Sequence, residues 1–513
     1  MWSHDFCRCV GEGRCAVNKF DVIVIGSGLG GLATGVILAK EGLHVAVVER
    51  DRHVGGCLRS FQRGNAVFDT GMHYVGSINE GEILHHFFTY AGIADRLHMQ
   101  RLDAEGFDRV MTPEGEYRFA QGYDAFVDTL AELFPESLSD LKNYAGALQN
   151  VGKVIGVDKL RRGLISEGGM PYLGLSASGE IARLISDERL RRVVASTNFL
   201  YDGIRDFSPF YTHAMINHSF ICGAYRFVDG SQQLADLLAA EIRACGGEVL
   251  CDSEVQRVDH ADNAVRGVTL ASGESLIARK VVSDIDPRAL LPMIGAGTKI
   301  RPTYFKRINA MPCSWGVFSV YVTLESELFP YRNYNAYIVE QEEVWGDRAR
   351  TYVPRTIMVS MQAQSSSVGD EVLSMLMPCP ASEFEPWSAT RSGQRGAEYR
   401  QHKDELAQWM ISKADAYLPG LKRAVKQVYT ASPLTFRDYT GIVDGSAYGM
   451  LNDCQCPLET ILCPQTKLGG LYLTGQNLNN HGALGVVMTS IATAGEILGV
   501  DYVARKIGNH SAR

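Results

Sequence analysis

Residues 20–50 read FDVIVIGSGLGGLATGVILAKEGLHVAVVER, and the fold is decided there. The apolar run Val22–Ile25 ends at a glycine cluster and reads as a fully buried strand of a parallel sheet. Gly26, Gly28 and Gly31 have the G-x-G-x-x-G spacing and lead into a helical pattern through Leu32, Val36 and Ile37. A second apolar strand, Val45–Val48, stops at Glu49, 23 residues beyond Gly26. In such a unit the glycines divide the work: a tight turn, close approach of backbone to a pyrophosphate, and close packing of helix on strand. The helix N-terminus offers N–H groups and positive dipole to the phosphates, and Glu49 stands where a carboxylate takes ribose hydroxyls. Glycine turns alone are common. Strand, glycines, helix, strand and terminal acid together predict a Rossmann-type dinucleotide-binding domain.

The rest of the chain is long enough for more. At 513 residues it exceeds one small core, so two intertwined domains are expected. Apolar content of 46% and charged content of 21% are those of an ordinary globular protein. The formal net charge is −8 with no long basic run, which argues against nucleic acid as a partner. No apolar stretch reaches the length of a membrane span. Residues 1–17 hold Asp5, Arg8, Glu12 and Arg14 without an apolar core, so they read as a disordered leader and not a secretory signal. The expected location is therefore cytoplasmic, with the twelve cysteines reduced. Cys7, Cys9 and Cys15, and Cys454, Cys456 and Cys463, form two clusters whose spacings match no usual zinc or iron–sulfur site, so no metal is expected.

Taken in order, a glycine pair, Gly55-Gly56, follows Glu49 and lets backbone run beside a long ligand. Next comes FDTGMHYVG, Phe68–Gly76, which packs Asp69, His73 and Tyr74 between glycines. From 81 to 201 the pattern is helical, as in ILHHFFTYAGI, AFVDTLAELF and ERLRRVVAS, the last started by Ser186 and Asp187. A helix over Gln232–Ala244 and a strand over Glu248–Leu250 return to the first domain. Two antiparallel ribbon strands follow, Val255–Val258 and Arg266–Leu270, joined by a turn over Asp259–Asn263. Val281–Asp284 reads as one more buried strand. No second G-x-G-x-x-G occurs, which points to one bound dinucleotide. Strand-like SWGVFSVYVTL, TIMVSMQ and VLSMLMP, then a helix from about Glu398 to Tyr417, suggest a sheet floor under a helical cap. GLYLTG, Gly470–Gly475, is a short strand before a turn holding His481 and a helix from about Ala483 to Leu498. The fold class is α/β: a Rossmann-type domain (18–80, 225–290 and 430–505) interleaved with an α+β substrate domain (81–224 and 291–429), a helical cap over a mixed sheet.

These motifs, spread over nearly the whole chain, resemble the FAD-dependent phytoene desaturase, carotenoid isomerase and retinol saturase family of amine-oxidase-like flavoproteins. IGSGLGGLATGVILAKEG with VVERDRHVGG is similar to the N-terminal FAD signature, and FDTGMHYVG to a segment of the saturase and isomerase branch. VDGSQQLADLLAAEIRACGGEV and KVVSDIDPRALLPMIG resemble the return segment. TASPLTFRDYTGIVDGSAYGM and GGLYLTGQNLNNHGALGVVMTSIATAGEIL resemble the C-terminal signature. The resemblance implies noncovalent FAD. Gly26, Gly28 and Gly31 would hold its pyrophosphate, Glu49 the adenosine ribose, and Val255 the adenine. Arg50, Gly55 and Gly56 would line the cofactor. Gly475 and Gln476 would sit near the ribityl chain, with Gly485, Val486 and Val487 at the flavin ring. Relatives often carry an acid or alanine-glycine where Gln476 stands.

The family's reactions are saturation, desaturation or isomerisation of double bonds in apolar polyenes, isoprenoid or retinoid, and saturation is the favoured expectation here. Adding hydrogen across an unactivated double bond needs a hydride at one carbon and a proton at the other. His73, Tyr74, His481 and Asp69 are the candidates for proton control. NAD(P)H is a candidate external electron donor, beside quinone, oxygen or ferredoxin. An apolar substrate implies peripheral membrane contact through the cap; oligomeric state is not legible. Two other readings stand beside this one. An amine oxidase relative would build an aromatic cage, for which Tyr439, Tyr448 and Tyr472 could supply rings. A non-enzymatic lipid carrier would hold flavin as a structural element.

Overall fold

The computed structural model describes residues 19–156, 168–365 and 370–508. The leader and its three cysteines lie outside the described residues. Lys19–Ile25 is an interior strand of a seven-stranded sheet ordered 255–261, 264–270, 275–283, 19–25, 45–48, 248–250. Its neighbours Ser275–Ser283 and Val45–Val48 both run parallel to it. Leu471–Leu473 pairs in parallel with the far end of Ser275–Ser283, Val281 opposite Leu471. Both faces are covered, which is why the strand reads as an unbroken apolar run. Val22 and Val24 face the large core shared with the helices, while Ile23 and Ile25 face a second core with Val258, Val268 and Leu290. The glycine-rich helix Leu29–Lys40 is buried from Leu29 to Ala39, and helix Gly482–Leu498 is stapled to it by Ser490 Oγ donating to the Gly30 carbonyl at 3.2 Å.

A second seven-stranded sheet is ordered 425–431, 316–324, 371–379, 357–361, 335–338, 108–112, 115–119. On one face Phe318, Val320, Ala336 and Val359 share a core with the long helix Gly396–Tyr417. From the other, Val110, Val317, Tyr337 and Met358 enter the large core with the cap helices Leu138–Val154 and Phe210–Cys222. Among the described residues no helix is long and apolar enough to cross a membrane.

Two sequence expectations need correction. The span read as wholly helical, 81–201, contains the hairpin Asp108–Thr112 and Gly115–Phe119, which extends this second sheet. Its strands are five residues each, and Arg109, Glu116 and Arg118 interrupt the apolar run, so too little periodicity remains to signal them. The ribbon turn expected over Asp259–Asn263 shrinks to Asp262-Asn263, both at positive φ (52° and 56°), so the strands run to Ala261 and from Ala264. Asp and Asn tolerate the left-handed pair that a two-residue hairpin turn requires.

The third glycine of the motif is packed against backbone. A Cβ on Gly31 would collide with the backbone carbonyl oxygen of Gly26, which cannot swing away as a side chain would. Gly31→Ala is therefore expected to destabilise the protein by roughly 3 kcal/mol, the upper part of the range for overpacking. Urea unfolding followed by circular dichroism measures it, and a loss below roughly 1 kcal/mol contradicts the packing role.

Candidate active site

The carboxyl ends of the parallel strands converge on one groove. Gly26 turns at φ 93° directly after the first strand. The Gly55 N–H donates to the Ser27 carbonyl at 2.9 Å. Glu49 is drawn into the same turn: its Oε2 accepts from Ser27 N at 2.9 Å and Ser27 Oγ at 2.6 Å, and its Oε1 from Asp51 N at 3.0 Å. Oε1 keeps a lone pair for a ribose hydroxyl. A Cβ on Gly30 would stand 2.6 Å from the Gly475 Cα, and one on Gly56 3.2 Å from the Gly28 Cα. So Gly26, Gly28, Gly31, Glu49, Gly55, Gly56 and Gly475, distant in sequence, line one surface. Val255 opens its strand two residues after Ser253, whose N–H donates to the Glu49 carbonyl at 2.8 Å. Arg50 turns aside and donates to the Asp438 carbonyl at 3.1 Å. Gln476 is half-buried behind Gly475. Gly485, Val486 and Val487 lie in the first turns of Gly482–Leu498, and the adjoining Asn480 is buried with its Oδ1 unpartnered. A close-packed glycine surface at a helix start, an acid at the next strand end and an orphaned amide oxygen at the second helix start fit an extended dinucleotide.

Asp284 enters this groove without having been singled out in the sequence. Its Oδ2 would stand 2.5 Å from a Cβ on Gly28, and its carboxyl accepts the Gly31 N–H. Burial, and then the charge of Glu49, raise it to about 7. A carboxylate here competes with phosphates for the same N–H groups.

The four proton candidates occupy three separate places, and among the described residues no hydrogen bond joins any two of them. Asp69 is fully buried and accepts from Ser60 Oγ at 2.7 Å, Ser231 N at 2.8 Å and Ser231 Oγ at 2.9 Å. It clasps the hairpin 60–69 to the start of helix Gln232–Ala244. His73 is partly exposed, but its Nε2 is shielded and has no partner. Burial first, then the Arg226 charge, pull it down to about 4. His481 caps the closing helix. Its Nε2 donates to the Leu200 carbonyl at 2.8 Å, its ring packs on Tyr448 at 4.6 Å, and burial lowers it to about 4.

Tyr74 has the richest surroundings. Its ring stacks on Phe220 at 4.0 Å. Its hydroxyl donates to Asp108 Oδ2 at 3.1 Å and lies 2.7 Å from the Tyr337 hydroxyl. Asn335 Nδ2 donates to Asp108 Oδ1 at 2.9 Å, and the buried Arg226 donates to Asn335 Oδ1 at 2.9 Å. Asp108, Asn335 and Tyr337 lie on the short strands of the second sheet, where the sequence carried no signal beyond isolated polar letters in apolar runs.

A small cavity of about 20 Å³ lies between cap and second sheet, lined by Phe199, Trp315, Val317, Pro354, Pro378 and Tyr448 among others. Asp202, at φ 58°, closes one end. It accepts from Trp315 N at 3.1 Å beside Arg350 at 3.6 Å, and burial raises it to about 7. Tyr439 is exposed, Tyr472 sits in a core strand and Tyr448 faces His481, and among the described residues no ring contact joins any two of the three.

A family profile described as an NAD(P)-binding Rossmann-like domain matches residues 24–91. The cyclohexylamine oxidase from Brevibacterium oxydans superposes with a TM-score of 0.60 at 19% identity, covering 93% of this chain and 99% of that one. The chain thus has the fold of the FAD-dependent oxidoreductase superfamily. Within it, the chain is homologous to enzymes named for polyene chemistry. Human all-trans-retinol 13,14-reductase is 27% identical over 533 residues, 94% of this chain and 86% of the relative. Prolycopene isomerase 1 of an Oncidium hybrid cultivar is 22% identical over 519 residues, 95% of this chain and 86% of the relative. The lycopene-forming phytoene desaturase of a Paracoccus strain is 25% identical over 283 residues, 52% of this chain and 54% of the relative.

The groove predicts a pH dependence with a definite sign. Asp284 titrates at about 7, against Glu49, Cys57 and the Gly31 N–H around it, and its charged form opposes a phosphate. FAD binding is therefore expected to tighten as the pH falls through 7, and Asp284→Asn to bind roughly tenfold more tightly than the parent at pH 8. Flavin fluorescence titration of the apoprotein at pH 6 and 8 checks both; a pH-independent parent affinity contradicts the assignment.

Proposed function

We propose that this protein is an FAD-dependent oxidoreductase acting on a carbon–carbon double bond of an apolar polyene, retinoid- or carotenoid-like, with saturation as its favoured direction. The observation that carries the reading is the likeness to human all-trans-retinol 13,14-reductase across 94% of this chain. When bound, FAD supplies two-electron hydride chemistry. The glycine surface, Glu49, Val255, Gly475 and Gln476 would hold it noncovalently, and the N-terminus of Gly482–Leu498 would stabilise negative charge at its ring. A hydrocarbon would meet the flavin where cap and second sheet face each other, beside Tyr448 and His481.

Proton control follows from magnitudes. With a pKa of about 4, His73 and His481 are protonated on the order of one molecule in a thousand at neutral pH. They shape and polarise the site as neutral rings. Asp69 is committed to its clasp. Tyr74 is left as the proton-bearing group.

NAD(P)H from solution is the donor we propose to test first, since the chain has one dinucleotide unit. An apolar substrate must also leave a bilayer, and the cap exposes Leu133 (47%), Leu138 (39%), Met170 (43%) and Leu175 (38%) on its surface. Peripheral membrane contact through the cap belongs to the same proposal. Co-sedimentation with liposomes is the expected result, and complete recovery in the supernatant refutes that contact.

The central experiment is anaerobic absorbance of the purified holoenzyme. Reduction by NADPH or dithionite should bleach the flavin, and all-trans-retinol or a carotenoid should restore it with a product two hydrogens heavier. Bleaching by the polyene alone would mean desaturation, and conversion with the flavin still reduced, isomerisation. Bleaching by amines with release of hydrogen peroxide would replace the proposal with amine oxidation. A bound lipid with flavin that no donor reduces would replace it with a carrier.

A further inference from the structure

We propose that Asp108, Tyr74 and Tyr337 form a proton relay that serves the reaction pocket, with Tyr337 as the terminal donor and Asp108 as the proton source. The inference rests on the polyene-reducing reading. Three observations carry it. The polar groups form a continuous chain, Asp108 Oδ2 to Tyr74 at 3.1 Å and Tyr74 to Tyr337 at 2.7 Å, among buried side chains. Tyr337 projects from the cap-facing side of the second sheet, in the same core as Val317 of the pocket wall, and its phenol interacts electrostatically with that of Tyr448. The outer end is anchored: Asn335 holds the second oxygen of Asp108, and Arg226 holds Asn335, Tyr331 at 3.0 Å and the Tyr334 carbonyl at 3.1 Å.

Magnitudes fix the direction of transfer. Burial raises the phenols of Tyr74 and Tyr337 well above their ordinary range, so neither alone is an effective acid. Asp108 is raised to about 7, first by burial, against Asn335, Tyr74 and the nearby Arg226 charge. A protonated Asp108 donates to Tyr74, Tyr74 to Tyr337, and Tyr337 toward the pocket. In a concerted shift the net acid is then a carboxyl group of pKa about 7, matched to neutral pH. The balance is simple. The π bond breaks, one carbon gains a hydride supplied by a reduced flavin, and the other gains the Tyr337 proton. Tyr337 is restored by Tyr74 and Tyr74 by Asp108, and the Asp108 carboxylate is reloaded from water. The charged and titratable neighbours are Tyr74, Tyr337 and Arg226, with Tyr448 beyond Tyr337, and Tyr331, His73 and Asp69 beyond Arg226.

The test uses the FAD-loaded full chain with Asp108→Asn and Tyr337→Phe, each close in shape to the parent. Turnover of the polyene is expected to fall by roughly a hundredfold or more in both. FAD content and the rate of flavin reduction should be unchanged. In the parent, kcat should fall as pH rises through about 7, and this limb should vanish in Asp108→Asn. One protonated-carboxyl infrared component titrating with the same midpoint should be lost in the parent-minus-D108N difference, while those of Asp202 and Asp284 remain, whatever the activity. A parent that converts polyenes while both variants keep its rate, pH profile and infrared band overturns the relay alone. A parent that loads FAD and converts no polyene overturns the functional reading and the relay with it.

Discussion

The parallel pairing of Lys19–Ile25 with Ser275–Ser283 is the constraint on which the site depends. It joins segments more than two hundred residues apart in register, Ile23 opposite Val281 and Ile25 opposite Ser283. The further parallel pair, Ser283 with Leu473, brings in the last part of the chain. Once these ladders form, Gly26, Asp284 and Gly475 must emerge side by side at the carboxyl edge, and the helix Leu29–Lys40 must begin there. Backbone hydrogen bonds set that edge, so the groove is stiff. Glycine is needed where Gly30 meets Gly475 and Gly31 meets Gly26 because only backbone separates the chains. Long-range pairing of this kind is costly in chain entropy, and the near-total burial of both sheet faces is what offsets it.

The second sheet solves a different problem. Its lower face is an ordinary apolar layer under Gly396–Tyr417. Its upper face carries a buried polar row, Asp108 opposite Asn335 and Asn335 opposite Ser360, with Ser360 opposite Ser374. Such a row is tolerable only when its members satisfy one another, and Arg226, itself almost fully buried, supplies donors to four of its neighbours' acceptors. The cap has its own polar brace in His213, held between the hydroxyls of Tyr144 at 2.8 Å and Tyr201 at 2.9 Å and pushed by burial to about 3. These polar interiors brace both the cap and the second sheet where the two face each other.

The glycine-rich strand–helix–strand unit was legible in the sequence, because each of its requirements is local. A turn at positive φ demands glycine, a buried parallel strand demands an apolar run, and a ribose acid stands at a fixed distance along a strand–helix–strand unit. Asp284 was passed over as a polar letter at a strand end, since its place in the groove arises only when two strands pair. The proton candidates were picked for residue type near glycines, and their surroundings then separated them. Asp69 became a clasp, His73 and His481 neutral rings, and Tyr74 part of a chain whose other members lie on strands the sequence did not reveal.

The sequence by itself therefore determined the class of fold and the glycine-bounded strand and helix of its Rossmann-like unit, because periodicity and glycine placement are short-range physics. Only the tertiary structure decided which acids and phenols share a hydrogen bond and which histidines are neutral. Those properties come from burial and from contacts between segments remote in the chain. Burial raises Asp108, Asp202 and Asp284 to about 7 while leaving their letters in the sequence unchanged.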